Sequence, residues 1–190
     1  FILIVLMIAG LSLTGHAAGY SISGTVTSYD DAAAMTVLRL FPEGGTVAII
    51  TQTVTGNQAT YQLANVPYGS YTMTIQKEGH VTRTYPVTID STDAYLDVKV
   101  CPLGDVSGNG KVNMGDVSTA YAHSKRTALL TDSYKLACGD LNGDGKVNLG
   151  DTSKIYAISK GSYKPAVKEV TLTVWTPAND QFDDNNWLAQ

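Results

Sequence analysis

The chain has 190 residues, 44% of them hydrophobic, and its 13 Lys and Arg against 17 Asp and Glu give a formal net charge of -4. That composition supports a folded core and excludes an intrinsically disordered chain. The acidic balance offers no basic footprint for capturing nucleic acid or an anionic membrane surface.

The chain opens with FILIVLMIAGLSLTGHAAG, a short apolar run followed by small residues. Such a run is too short to cross a bilayer and has the pattern of the apolar segment and cleavage zone of a secretory signal. Residues 1–19 are therefore expected to be a truncated signal peptide, cut near Ala17 or Ala18. The expected location is secreted or extracellular, with association with the cell surface left open.

From Tyr20 to Val100 the sequence is rich in Thr, Val, Ile and Tyr and alternates in stretches such as Tyr71-Thr72-Met73-Thr74-Ile75. Period-two alternation broken by turn signals (Glu43-Gly44-Gly45, Gly56-Asn57, Pro67-Tyr68-Gly69, Glu78-Gly79-His80) predicts strands. With no helical period between them, a small antiparallel β-sandwich over residues 20–100 follows. The segments ISGTVTS and NVPYGSYTMTIQKEGH resemble the carboxypeptidase regulatory-like and Cna B-type sandwich family. Some members carry an internal Lys–Asn isopeptide bond with its Lys on the first strand. Here no Lys lies between Tyr20 and Gln76, so that cross-link has no donor in the expected place. The resemblance implies a spacer, or a face for sugar or protein, and nothing in this stretch looks catalytic.

The pattern then changes. DVSGNGKVNMGD, starting at Asp105, and DLNGDGKVNLGD, starting at Asp140, are an internal repeat, and each is followed by a short helical segment, VSTAYAHSK or TSKIYAISK. Between them TALLTDSYKLAC predicts a third helix with Thr131 or Asp132 as its N-cap. Cys101 and Cys138 each lie just before one repeat, which leaves a disulfide and two buried thiols both open. After Gly161 a linker carrying Pro165 leads into VKEVTLTVWTPANDQFDDNNWLAQ, where alternation resumes. Residues 163–190 are expected to be that linker and the truncated start of a further domain, which resembles the opening of bacterial extracellular sugar-binding proteins of ABC importers.

The repeated segments are loops built to hold a cation. Calcium takes about six to eight oxygens, and a loop of about twelve residues supplies them from positions 1, 3, 5, 7, 9 and 12, with Gly at 6 for the sharp turn. In the first loop these are Asp105, Ser107, Asn109, the carbonyl of Lys111, Asn113 and Asp116, with Gly110 at the turn. In the second they are Asp140, Asn142, Asp144, the carbonyl of Lys146, Asn148 and Asp151, with Gly145 at the turn. Two calcium ions are the expectation. Position 12 is Asp rather than the Glu of a helix-loop-helix EF-hand, and Cys101-Pro102-Leu103-Gly104 cannot form an incoming helix. A pair of tight β-turns would explain one loop but not the repeated oxygen spacing. On charge count, the second loop, with three carboxylates against two, should hold its ion more tightly.

Two such loops in matched register, each with an exiting helix only, make residues 102–162 resemble a type I dockerin, a small all-α module with two F-hand calcium loops. The resemblance implies docking onto a cohesin-type protein domain. In the family, partner choice is carried by loop positions 10 and 11 and by the following helix. Here those places hold Met114, Gly115, Tyr121 and Ala122 in one repeat and Leu149, Gly150, Tyr156 and Ala157 in the other, which departs from the usual polar pattern. Tyr121 and Tyr156 are read either as partner anchors or, more commonly for such residues, as local core, and Val112 and Val147 as core. His16, His80 and His123 show no metal-ligand spacing and are read as incidental. The overall expectation is a non-enzymatic, secreted, calcium-dependent docking protein of a polysaccharide-degrading or sugar-capturing system. A fragment of a dockerin-bearing glycoside hydrolase, a solute-binding protein for sugar uptake, or a calcium clamp between neighbouring domains are the alternatives.

Overall fold

The computed structural model describes residues 19–165. The expected signal peptide and the sugar-binding-protein-like segment after Pro165 lie outside the described residues. Eight strands precede three helices: β1 (Tyr20–Thr27), β2 (Met35–Pro42), β3 (Ile50–Thr55), β4 (Gln58–Val66), β5 (Gly69–Lys77), β6 (Arg83–Ile89), β7 (Ala94–Tyr95), β8 (Val98–Lys99), α1 (Met114–Ser124), α2 (Ser133–Gly139) and α3 (Leu149–Ser159).

The strands form two sheets. One runs β3-β2-β5-β6 and is antiparallel throughout; in the other, β1 pairs antiparallel with β4 and parallel with both β7 and β8. The all-antiparallel expectation is thus corrected at one edge, where the chain returns beside β1 in the same direction. Asp93 and Asp97 place their carboxylates on the Ser21 and Thr25 N–H groups of β1, at 2.7 and 2.8 Å. These side chains occupy donors that a continuous strand would use, so the Tyr95–Val100 stretch breaks into two short pieces.

Alternation works as read. Ile22 and Val26 of β1, Leu38 and Leu40 of β2, Leu63 of β4, and Met73 and Ile75 of β5 all point inward and are essentially inaccessible. Lys77 is also buried, and its ammonium donates to Ser28 Oγ (3.1 Å), the Tyr29 carbonyl (2.7 Å) and Asn57 Oδ1 (3.1 Å). Three acceptors satisfy its three N–H bonds, as a buried ammonium requires. Burial is the main influence lowering its pKa, and Asp30 and Asp31 oppose it.

The helical unit has a much thinner core: Val106, Ala120, Val147 and Ile155, with Val112, Val117, Leu130, Leu136 and Leu141 packed around them. Val112 and Val147 are core, as expected. Helices α1 and α3 have 11 residues each, a length that is marginal in isolation. Caps and loop geometry must therefore do much of the ordering. α2 starts where expected, with Asp132 as N-cap accepting from Tyr134 and Lys135 N–H, and those two bonds, Lys135 first, hold its carboxyl below the usual range.

Candidate metal centres

Each loop is organised around its first aspartate. Asp105 Oδ1 accepts from Gly108 N (2.8 Å), Asn109 N (3.1 Å) and Ser107 Oγ (3.2 Å), and its Oδ2 from Gly110 N (2.7 Å). Asp140 repeats this with Gly143 N (2.7 Å), Asp144 N (3.1 Å) and Gly145 N (2.8 Å). The closing aspartates also match. Asp116 accepts from Ser107 N and Asn113 N, and Asp151 from Leu141, Asn142 and Asn148 N. Each chain segment thereby curls round a point lined by its own carboxylates.

In the second loop, carboxylate oxygens of Asp140, Asp144 and Asp151 lie within 4.8 Å of one another. Three negative groups so close repel, and a divalent cation reverses the sign of that interaction. In the first loop, Asp105 and Asp116 are wholly buried, and the bonds they accept come from neutral N–H groups and a hydroxyl. Buried charge of this kind calls for a counter-ion. The all-oxygen donor sets fit calcium in both loops. Asp144 is exposed, and the bonds from Asn142 first and then Lys146 hold its pKa below the usual carboxylate value.

Asn113 and Asn148 have a role beyond the one read from the sequence. Each is an N-cap whose Oδ1 accepts from Gly115 or Gly150 N at 2.7 Å, and each forms a reciprocal capping box with Asp116 or Asp151. The closing aspartate thus shapes the loop and starts the helix together. The signal, Asn followed three residues later by an acidic residue, is present in both repeats.

The residues proposed for partner contact fall on equivalent places of α1 and α3. Met114 and Leu149 are half exposed, and so are Tyr121 (49%) and Tyr156 (47%), which removes the reading of these tyrosines as local core. Gly115 and Gly150 are exposed beside them, and Ala122 and Ala157 are partly covered. Lys125 and Lys160, not singled out from the sequence, hold their ammonium groups 5.7 and 5.6 Å from the Tyr121 and Tyr156 ring centres. Each helix thus offers an aromatic ring next to a cation, twice over.

The helical unit is joined to the sandwich by hydrogen bonds. Val81 N donates to the Cys101 carbonyl and Leu103 N to the Gly79 carbonyl, both at 3.0 Å. The Tyr134 hydroxyl bridges the Val81 carbonyl (2.8 Å) and Cys101 N (2.9 Å), beneath the Arg83 guanidinium. His80, read as incidental, instead belongs to this junction: it pairs with Pro102, and its Nε2 accepts from Tyr29 N at 3.2 Å. Cys101 and Cys138 are buried free thiols at the same place. Burial, then Asp105, pushes Cys101 up to about 11, and burial, then Cys101, pushes Cys138 up to about 12. Both are held as protonated, unreactive thiols.

Residues 103–157 match the family model of the dockerin type I domain. Type I dockerins bind calcium, and the match spans both loops and all but the end of α3. Two solved structures resemble the chain over a longer stretch. They are a C-terminal and an N-terminal interface mutant of a type II cohesin–X–dockerin complex from Acetivibrio cellulolyticus, at 19% and 20% identity. Each covers 73% of this chain and 94% of its own, with a TM-score of 0.37. The Bacillus anthracis TIE protein is similar over 42% of this chain and 16% of its own, at 16% identity and a TM-score of 0.32. No curated protein matches. Among the described residues, no helix is long and apolar enough to cross a membrane.

Proposed function

We propose that this protein is an exported calcium-binding docking protein, whose dockerin segment binds a cohesin-type domain non-covalently within a polysaccharide-degrading or sugar-capturing system. The observation that carries the reading is the duplication: two oxygen-lined loops of matching hydrogen-bond pattern, each leading into a helix that exposes a Tyr and a Lys at equivalent positions. The dockerin match over 103–157 supports it. Asp105, Ser107, Asn109, the Lys111 carbonyl, Asn113 and Asp116 would hold one ion, and Asp140, Asn142, Asp144, the Lys146 carbonyl, Asn148 and Asp151 the other. The sandwich at 20–100 would act as the spacer that presents the module.

Calcium supplies the ordering charge, and the chain supplies the contact surface. Tyr is enriched among the few interface residues whose truncation costs about 2 kcal/mol or more. The test is a binding assay of the full chain against a panel of recombinant type I and type II cohesins, with calcium and with EDTA. Binding to at least one cohesin that disappears in EDTA and weakens in Tyr121→Ala/Tyr156→Ala is expected. Failure of every cohesin to bind the calcium-loaded chain would remove the docking reading and leave the clamp between domains as the better account.

A further inference from the structure

The two loops share a bonding pattern but not a setting. Gly110, at the sharp turn of loop one, is buried with φ +90°, and the Tyr29 ring of the sandwich lies directly on it. A Cβ placed there would sit 2.0 Å from Tyr29 Cε1. Gly145, its counterpart at φ +82°, has open space where a Cβ would be. Next to Tyr29, the Lys99 ammonium donates to the Gly108 carbonyl of loop one and lies 5.5 Å from the Tyr29 ring centre. Tyr29 is itself held from the sandwich side, its N–H by His80 and its carbonyl by Lys77.

We infer that the β-sandwich completes the first calcium site: Tyr29 and Lys99 close the outer side of loop one, so that ion capture there and the seating of the sandwich on the helices are one equilibrium. Loop two takes its ion independently. The inference rests on the calcium reading above and adds a residue role to it, with Tyr29 as a positioning residue that touches no ion. The physical reason lies in the N–H groups of Gly108, Asn109 and Gly110, which orient Asp105. A ring pressed on Gly110 and an ammonium on the Gly108 carbonyl restrict that turn before the ion arrives. Site rigidity tunes calcium affinity, and outer partners of metal ligands typically change it about 10–100-fold. By linkage, an ion at loop one tightens the joint by the same factor that the joint tightens the ion.

The test uses the full chain and calcium alone. Calorimetric titration of Tyr29→Ala should show the first site weakened about tenfold and the second unchanged, with sites assigned by repeating the titration in Asp144→Asn. Tyr29→Phe, which keeps the ring, should stay close to the parent. Hydrogen exchange on the unmutated chain gives a second readout: calcium should slow the amides of Ser28, Tyr29 and Asp30, and should still do so in Asp144→Asn. If Tyr29→Ala shifts neither site or both equally, or if those amides ignore calcium, the coupling is wrong while the calcium reading stands. If no ion binds at all, the calcium reading falls and takes the inference with it. Should Tyr29→Ala fail to fold, the exchange measurement on the unmutated chain decides alone.

Discussion

Loop one and loop two carry nearly the same sequence and nearly the same hydrogen bonds, yet one is built into a junction and the other is open to solvent. Asp105 and Gly110 are buried, Gly110 under the Tyr29 ring, whereas their counterparts Asp140 and Gly145 are half-buried and exposed. The repeat determines how each turn curls round its carboxylates, since that depends on residues a few positions apart. How freely each turn moves, and what else moves with it, depends on neighbours that the repeat does not contain. The difference runs against loop one in charge as well, with two carboxylates against three and the Lys99 ammonium at its rim.

The largest expected effect is loss of the metal. The helical unit buries few apolar side chains and concentrates carboxylates, so ion binding is a major part of its folding free energy. Exhaustive EDTA treatment should abolish most far-ultraviolet helical signal while the strand signal of the sandwich persists, and added calcium should restore it. Helicity that survives chelation, with no ion taken up afterwards, would end the calcium account of both loops.

Next in size is a matched pair of substitutions. Ala at either sharp turn must adopt a left-handed conformation, which costs about 1–3 kcal/mol. Gly145→Ala should show only that. Gly110→Ala must also displace the Tyr29 ring, and an added loss of about 1–3 kcal/mol is expected from overpacking at a close contact. Thermal unfolding of the calcium-loaded variants measures both. Equal losses would mean that the ring swings aside at little cost and that the junction is looser than its geometry. Smaller again is the charge-count effect. Asp144→Asn should weaken the tighter site about tenfold, by analogy with the dependence of such loops on ligand charge. A calorimetric titration in which the tighter site is unmoved would show that carboxylate number does not rank the two.

Local chemistry explains what the sequence disclosed. The glycine and oxygen spacing of both loops, the Asp132 cap of α2 and the inward alternation of β1, β2, β4 and β5 all depend on residues within one turn or one strand. Asn113 and Asn148 were legible as loop oxygens, but their capping bonds were equally available from the Asp three residues on. The junction was not legible, because Tyr29, Lys77, His80 and Lys99 come from separate parts of the sandwich and meet only when both sheets are formed. The break between β7 and β8 was hidden for a related reason: Asp93 and Asp97 read as polar positions, and only the fold places them on the N–H groups of β1. Tyr121 and Tyr156 sit at helical positions compatible with either core or surface. The thin core of the helical unit puts them outside.

The smallest expected effect also separates the two loops, because it acts through His80 and hence on the junction alone. The ring accepts Tyr29 N–H at Nε2 and meets the Glu78 carbonyl with Nδ1 at 2.9 Å, which assigns the proton to Nδ1. Burial is the leading influence on its pKa and lowers it. The Glu78 bond, Asp30 and Asp105 oppose this, and Lys77 reinforces it. Protonation would place a second N–H against that of Tyr29 and remove the bond. Since the folded state binds this proton less readily than the unfolded chain, the contribution is complete above the unfolded value of about 6.5 and declines as pH falls from there toward the depressed folded value. The range to examine starts at about pH 6.5, the ordinary His value, and runs downward from there. In that range the thermal midpoint of the calcium-loaded chain should fall slightly, and His80→Gln should flatten the dependence. Hydrogen exchange at Ser28 to Asp30 should quicken over the same range more than at the amides of loop two, because the ring's hydrogen bonds go to Tyr29 N and the Glu78 carbonyl. A matching acceleration in loop two would mean that acid acts on the ions rather than on the joint.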